Sequence, residues 1–531
     1  MMLSFILYIE NKKGEIFMVC FFKVYDIDQE NNEYRIELLT EKSEFLFFDF
    51  AKFFEHIKRY LPPKSKLYCD NLKIEGSRML YYMQKNDYKE AIVRNEKKMK
   101  NKEYTTLLTT EKWYQIKLTL GKKIFFFESF QNYTNAHISR VKKQMKMEDK
   151  NDIKAMKEIY DKSFKNFNKI TIGSQALYNY KNMIGNKAFE TLFPILEDRD
   201  YDNICRAVRG GINYLKKENI KTGKIYRFDE VSAYPSVCCS DRLLPFGFPI
   251  LRSGKFKADN KYKLAIIHVH CKMSKKEDRL PSFSYIPLFD ILNDETLTEY
   301  NTDEIADVWI TSVDREIIEN DYDIEYWDEI EHYAFRADHA YKFFKNYMIK
   351  YYTDKKNASN QFEKLTAKML LNSLIGQFAK RKSGKLIKYN YENMEKYESK
   401  IKTVYPAITA FVTAYARKIL SDMIDYVDIE DVVMTDTDSL HTLIDISDFL
   451  KIGKDLGCWQ LEAEAKEGIF IKRKTYAEKV NNKWEIKAAG INDETTENID
   501  IKDFEKGKLI ETENLLLKNG IYKKEKVVIE L

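Results

Sequence analysis

The chain has 531 residues, 44% of them hydrophobic, with only 18 Gly and 9 Pro, which excludes a disordered or linker-rich protein and calls for two or more domains. Its 88 basic and 83 acidic residues leave a net charge of +5, too mild by itself to announce a nucleic-acid binder. Seven Cys, an odd number with none in a CxxC pair, argue against a disulfide framework or a structural zinc centre.

In chain order, LSFILYIE, EIFMVCFFKVY and YRIELL read as strands, and FFDFAKFFEHIKRYL as a helix stopped by Pro62-Pro63. KLYCDNLKIEG reads as strand plus turn, and WYQIKLTLGKKIFFFES as a hairpin about Gly121. The helix KNDIKAMKEIYDKSFKNF closes this α/β unit at about residue 165. Residues 241–340 mix strands and short helices. His268 and His270 alternate there on a strand with no third ligand at metal spacing, so they read as structural. YKFFKNYMIKYYTDKK and NQFEKLTAKMLLNSLIGQFAK are helices joined by a polar turn, and AITAFVTAYARKILSDMIDYV is a third. DVVMTDTDSLHTLI reads as strand–turn–strand, and the segment after about residue 485 is hard to read. The N-terminus carries no basic leader and no apolar run reaches about 18 residues, so a soluble, cytoplasmic protein without membrane contact is expected.

Three stretches carry chemistry. FDEVSAYPS puts Asp229 at the end of a strand, with Tyr234 just beyond. VVMTDTDSLHT holds Asp436 and Asp438 two apart, on one face of a strand, where two carboxylates repel unless a cation joins them. DTDS is also a serviceable turn sequence. Lys364, Lys368, Asn372 and Ile375 recur at +4, +4 and +3 along one helix face, and two lysines a turn apart suit a triphosphate. From Lys342 to Lys385, eleven Lys or Arg stand against two acids, which is either a solvated face or a phosphate-binding surface.

In that order these stretches resemble motifs A, B and C of the family B DNA polymerases. DEVSAYP is similar to DxxSLYP, KMLLNSLIG to KxxxNSxYG, TDTDS to the YxDTDS core, and KRKTYAE to the KxY motif. The Arg209-Gly210-Gly211 segment resembles the YxGG of the protein-primed subgroup. The resemblance implies a multidomain α/β and α+β fold: a ribonuclease H-like exonuclease domain over 1–165, then a right-hand polymerase over 166–531. Its palm would span about 166–240 and 400–484, with a terminal-protein insertion at about 241–340. Fingers at about 341–385, a second insertion at about 386–404 and a thumb at about 485–531 complete it. The implied activity is DNA-templated addition of dNTPs to a primer hydroxyl, supplied by a terminal protein, in replication of a linear viral or plasmid genome. Two Mg²⁺ ions, replaceable by Mn²⁺, would be held by Asp229, Asp438 and the Glu230 carbonyl, with Asp436 in support. Tyr234 would exclude a ribose 2′-hydroxyl. Lys364 and Lys368, with Lys356 from the preceding helix, would hold the triphosphate beside Asn372 and Ile375. Arg209, Gly210 and Gly211 would let the template backbone approach, and Lys474 and Tyr476 would position the primer. Ile375 departs from the family Tyr, which puts fidelity in question. Alternatives are a nucleotidyl transferase with another template or product, against which Tyr234 speaks, and a non-catalytic DNA-binding replication protein, against which the three aspartates speak.

In the front region the resemblance weakens. LYIEN offers Glu10 but Tyr8 replaces an Asp, CDNLKIEG offers Glu75 for an Asp, and EDKND offers Asp152 but Glu148 replaces a Tyr. These departures imply a retained fold with a weak or absent 3′–5′ exonuclease. Ordinary surface acids are the alternative reading of Glu10, Glu75 and Asp152.

Overall fold

Apolar residues recurring at helical spacing (Phe50, Phe53, Phe54 and Ile57) bury one face of the helix Phe50–Tyr60 against a front sheet. The helix is capped by the Asp49 carboxylate, which accepts from the Lys52 N–H at 2.7 Å, and it ends ahead of Pro62. The computed structural model describes residues 9–10, 16–28, 33–91, 99–109, 112–284, 304–379, 404–518 and 521–531. Most of the second insertion expected at about 386–404 therefore lies outside the described residues, as does Tyr8.

The front sheet has eight strands in the order Glu44–Phe47, Glu33–Leu39, Val19–Asp28, Lys66–Cys69, Lys123–Ser129, Trp113–Leu120, Glu103–Leu108 and Lys89–Glu90. Its three middle strands run parallel, and Val19–Asp28 pairs antiparallel with Glu33–Leu39. The expected turn in KLYCDNLKIEG is instead the helix Leu72–Lys85, capped by Asn71. Gly76 belongs to that helix because a side chain there would press on Leu72 and Ile116 at 3.0–3.1 Å.

A second, antiparallel sheet forms the middle of the molecule, in the order Asn213–Leu215, Val432–Asp436, Ser439–Thr442, Ile225–Glu230, Trp459–Lys472, Thr475–Val480 and Lys483–Ala488. A third sheet has four antiparallel strands, Leu243–Ser253, Tyr322–His339, Leu264–Lys275 and Ala306–Thr311. The helices Ala340–Lys356 and Gln361–Phe378 pair with each other, while Ala407–Met423 is buried along most of its length in the largest core.

The segment that the sequence leaves unreadable contains a long hairpin, Leu509–Lys518 with Ile521–Glu530. The hairpin seats on the front unit. The Tyr522 N–H donates to Ser77 Oγ at 3.0 Å, and the Tyr522 ring meets Trp113 edge-on at 5.7 Å. The final hairpin thus packs against the front unit. Among the described residues no helix is long and apolar enough to cross a membrane.

Candidate active site

Asp229 ends the strand Ile225–Glu230, which lies between Ser439–Thr442 and Trp459–Lys472, so Asp229 faces Ser439 on one side and Gln460 on the other. The turn Asp436–Ser439 is tight: the Asp438 N–H donates to the Asp436 carbonyl at 2.8 Å, and Thr437 adopts a left-handed φ of 66°. The Glu230 N–H donates to the Asp438 carbonyl at 2.9 Å. That bond brings the two expected motifs together, although 209 residues separate Asp229 from Asp438 in the chain.

The electrostatics follow from this crowding. Burial, then the charges of Asp438, Glu462 and Glu230, push the Asp229 carboxyl up to about 7, with Lys487 opposing. Burial, then Asp436 and Glu462, also raise Asp438. Burial raises Glu230, and Asp438 adds to this against the Ser236 hydroxyl that donates to Glu230 Oε1 at 2.7 Å. Acids gathered this way repel one another, and a hard divalent cation beside them would relieve that repulsion.

Glu462 is a carboxylate that the sequence reading missed. The pairing skips from Arg227↔Ala463 to Phe228↔Leu461, so Glu462 is the extra residue of a bulge that re-aims its side chain. Its signal, an acid in an alternating strand, does not stand out from its neighbour Glu464.

Tyr234 lies in the short helix Ala233–Cys238, half-buried against the main core. Burial raises its phenol, Arg417 opposes, and Asp438 and Asp436 add to the rise, so its hydroxyl is within electrostatic reach of the acidic turn. Lys364, Lys368 and Asn372 are exposed on Gln361–Phe378. Lys355, not Lys356, joins them. Burial, then Lys368 and Lys364, lower the Lys355 ammonium while Asp229 opposes. Lys356 is exposed and pairs with Asp455 at 3.4 Å. Helical spacing holds the signal: Lys355 continues the buried face of Phe344, Met348 and Tyr351.

Four expectations need correction. Arg209 is 2% exposed, its Nε donating to the Ser284 carbonyl at 2.6 Å and its Nη1 to the Trp309 carbonyl at 2.6 Å, and burial lowers it to about 10. Its guanidinium is buried and ties the segment ahead of Asn213–Leu215 to the third sheet. The space beside Gly211 is filled by Thr437, and Gly210 offers its carbonyl to Arg417 Nη1 at 2.7 Å. Tyr476 is 4% exposed, stacked on Phe470 with centroids 5.7 Å apart, whereas Lys474 is exposed at the adjoining turn. Ile375 is 3% exposed in the main core, its carbonyl accepting from Thr409 Oγ1 at 2.8 Å, because the helix Ala407–Met423 covers that end of the lysine-bearing helix.

In the front unit, burial followed by the charge of Asp70 raises Glu75 to about 7. Asp152 is gripped by Lys23 at 2.6 Å and Lys142 at 3.0 Å, which outweigh burial and hold it below the ordinary carboxylate range. Glu148 is exposed. Glu10 pairs through its backbone with Ile16, and its side chain lies outside the described residues.

Residues 25–443 match the family described as DNA polymerase type B, organellar and viral. The DNA polymerase of Bacillus phage phi29 is 27% identical over 516 residues, covering 84% of this chain and 87% of the relative. Among solved structures, phi29 DNA polymerase complexed with single-stranded DNA superposes with a TM-score of 0.86 at 22% identity, covering 97% of this chain and 99% of the other. The same polymerase with primer-template DNA and incoming nucleotide substrates gives 0.82 at 22% identity, covering 97% and 100%. The fold is thus the expected multidomain one, with an exonuclease-type front unit and a polymerase unit.

Proposed function

Because this chain belongs to the type B DNA polymerases of organelles and viruses, and is a DNA-templated, divalent-metal-dependent DNA polymerase of the protein-primed type, we propose that Asp229 and Asp438 are its catalytic carboxylates and that Mg²⁺ is the metal they hold. The observation that carries this reading is the Glu230–Asp438 backbone bond, which joins motifs A and C at one point, where burial and then neighbouring acidic charge raise both carboxyls.

A metal pair, when bound, would supply activation of the primer hydroxyl and neutralisation of the leaving pyrophosphate. Asp229 and Asp438 would hold it, with Asp436 in support, and the bulged Glu462 adds negative charge. Lys355, Lys364 and Lys368 draw the triphosphate toward the acids, since an anion among three crowded ammonium groups relieves their repulsion. Tyr234, set against the main core, closes the space beneath the incoming sugar and selects deoxyribose. Lys474, exposed at its turn, approaches the primer backbone. We assign the middle sheet to the palm, the two paired helices to the fingers, and the final hairpin to the thumb. The four-stranded sheet is the insertion that seats a terminal protein.

The test is primer extension with labelled dNTPs in Mg²⁺. Asp438→Ala is expected to lower incorporation by about 10³-fold or more while DNA binding persists. Extension near the wild-type rate by Asp438→Ala and Asp229→Ala would overturn the assignment. Initiation on a candidate terminal protein, lost when exposed residues of the four-stranded sheet such as Arg252 and Tyr326 are substituted while extension is kept, tests the priming role.

A further inference from the structure

We propose that the four-stranded sheet carries a transition-metal site formed by His268, His270 and Asp307, on the face whose Leu264, Ile266 and Trp309 pack into the main core, and that Zn²⁺ is the ion its donors fit. His268 and His270 stand two apart on Leu264–Lys275 and share one face, while Ile267, Val269 and Cys271 fill a core on the other. The neighbouring strand Ala306–Thr311 sets Asp307 directly opposite His270. No sequence spacing shows this third ligand, because it arrives through strand pairing.

The distances suit an ion. His268 Nε2 lies 2.8 Å from Asp307 Oδ1, His270 Nε2 lies 3.8 Å from Asp307 Oδ2, and one donor atom of each residue falls within 4.8 Å of the others. Bonds of about 2.0–2.1 Å in tetrahedral geometry place donors roughly 3.4 Å apart, between the two measured separations. The His268 ring is already oriented, lying flat on Trp309 with centroids 4.6 Å apart and planes 7° from parallel.

The far side of that ring gives the independent observation. His268 Nδ1 is buried and has no hydrogen-bond partner, yet Glu331 Oε1 stands 3.8 Å away, on the residue paired with His268 across the sheet. Metal on Nε2 requires the proton on Nδ1, and a carboxylate waiting there is how ligating imidazoles are held. Two imidazoles and a carboxylate suit Zn²⁺ better than Mg²⁺, and none of these residues belongs to the middle-sheet acids. His270 and Asp307 are 40% and 54% exposed, so the ion has a path in and the fourth position faces solvent. Arg206 Nη2, 3.7 Å from Asp307 Oδ1, is the competing cation. Bound ion would pin the edge strand Ala306–Thr311 to its neighbour.

The experiment uses the full chain carrying Asp229→Ala and Asp438→Ala, so that those carboxylates do not contribute. It is stripped with chelator and titrated with Zn²⁺ against a chromogenic competitor, and in parallel with Co²⁺ by visible absorption. One Zn²⁺ per chain is expected. Affinity should fall about 10–100-fold in His270→Ala and Asp307→Asn, recover in His270→Cys, and rise in Arg206→Ala. Circular dichroism establishes that each variant is folded, and Arg206→Ala and Asp307→Asn carry the test if a histidine variant is not. Failure of the folded protein to retain Zn²⁺, or an affinity that these substitutions leave unchanged, overturns the proposal.

Discussion

Gly211 lies so close to Thr437 that a β-carbon at position 211 would fall 2.7 Å from the Thr437 Cα. Thr437 is the left-handed residue between Asp436 and Asp438, and its N–H donates to the Ile212 carbonyl at 2.8 Å. The glycine segment is therefore a backstop for the acidic turn. Gly211→Ala must push that turn away. A displacement approaching 1 Å costs about 10²-fold in rate at a site of this kind. Single-turnover incorporation should fall by that order with dNTP affinity much less changed. A wild-type rate would show that the turn is positioned by other contacts.

Lys355 and Lys356 are neighbours with opposite surroundings, one facing Lys364, Lys368 and Asp229, the other paired with Asp455. Lys355→Ala is expected to raise the dNTP KM about tenfold, a loss of about 1.4 kcal/mol of nucleotide binding. Lys356→Ala removes an exposed pair worth about 0–1 kcal/mol and should leave KM within about twofold. Steady-state kinetics on both variants decides, and equal effects would refute the assignment of Lys355.

Asp229 is held in a fold that raises it from 3.8 to about 7. Between those values the folded protein keeps a proton that the unfolded chain has lost. Metal-free stability should therefore be greatest below about pH 4 as far as this group is concerned, and decline as pH rises to about 7. Asp229→Asn removes the repulsion. Since the carboxylate is partly solvent-screened, the gain at pH 8 in chelator should be on the order of 1 kcal/mol, or about 1 °C in Tm for a chain of this length, alongside loss of incorporation. The difference should shrink at pH 5. Identical melting of the two proteins at pH 8 counts against a crowded acidic centre.

The front unit should degrade single-stranded DNA in the 3′–5′ direction weakly or not at all. Asp152 is paired with Lys23 and Lys142, and Glu75 carries its carboxyl one methylene farther out than the Asp the resemblance calls for. An Mg²⁺ site with bonds of about 2.0–2.1 Å tolerates neither readily. Decay of a 3′-ended labelled strand in Mg²⁺ or Mn²⁺, with Asp229→Ala as background, is the measurement. Robust stepwise degradation that disappears in Asp152→Ala would show an intact nuclease.

Local periodicity and motif order determined much by themselves. The spacing of Phe50, Phe53 and Ile57 reads as a buried helix face, the apolar run Val432-Val433-Met434 as a strand, and Asp229, Lys368 and Asp438 as three ordered motifs, because each pattern depends on residues within a few positions of one another. Tertiary structure decided what depends on partners far along the chain. Arg209 is a well-spaced cation in sequence and a buried tie to the third sheet in space. Tyr476 is a motif aromatic in sequence and a stacked core ring in space. Gly76 reads as a turn until Leu72 and Ile116 crowd it within a helix. Glu462 reaches the aspartates through a bulge, Asp307 reaches the histidines through cross-strand register, and Tyr522 finds Ser77 across 445 residues. Burial and strand register arise only when distant segments pack, and a one-residue change in either turns a side chain to the opposite face.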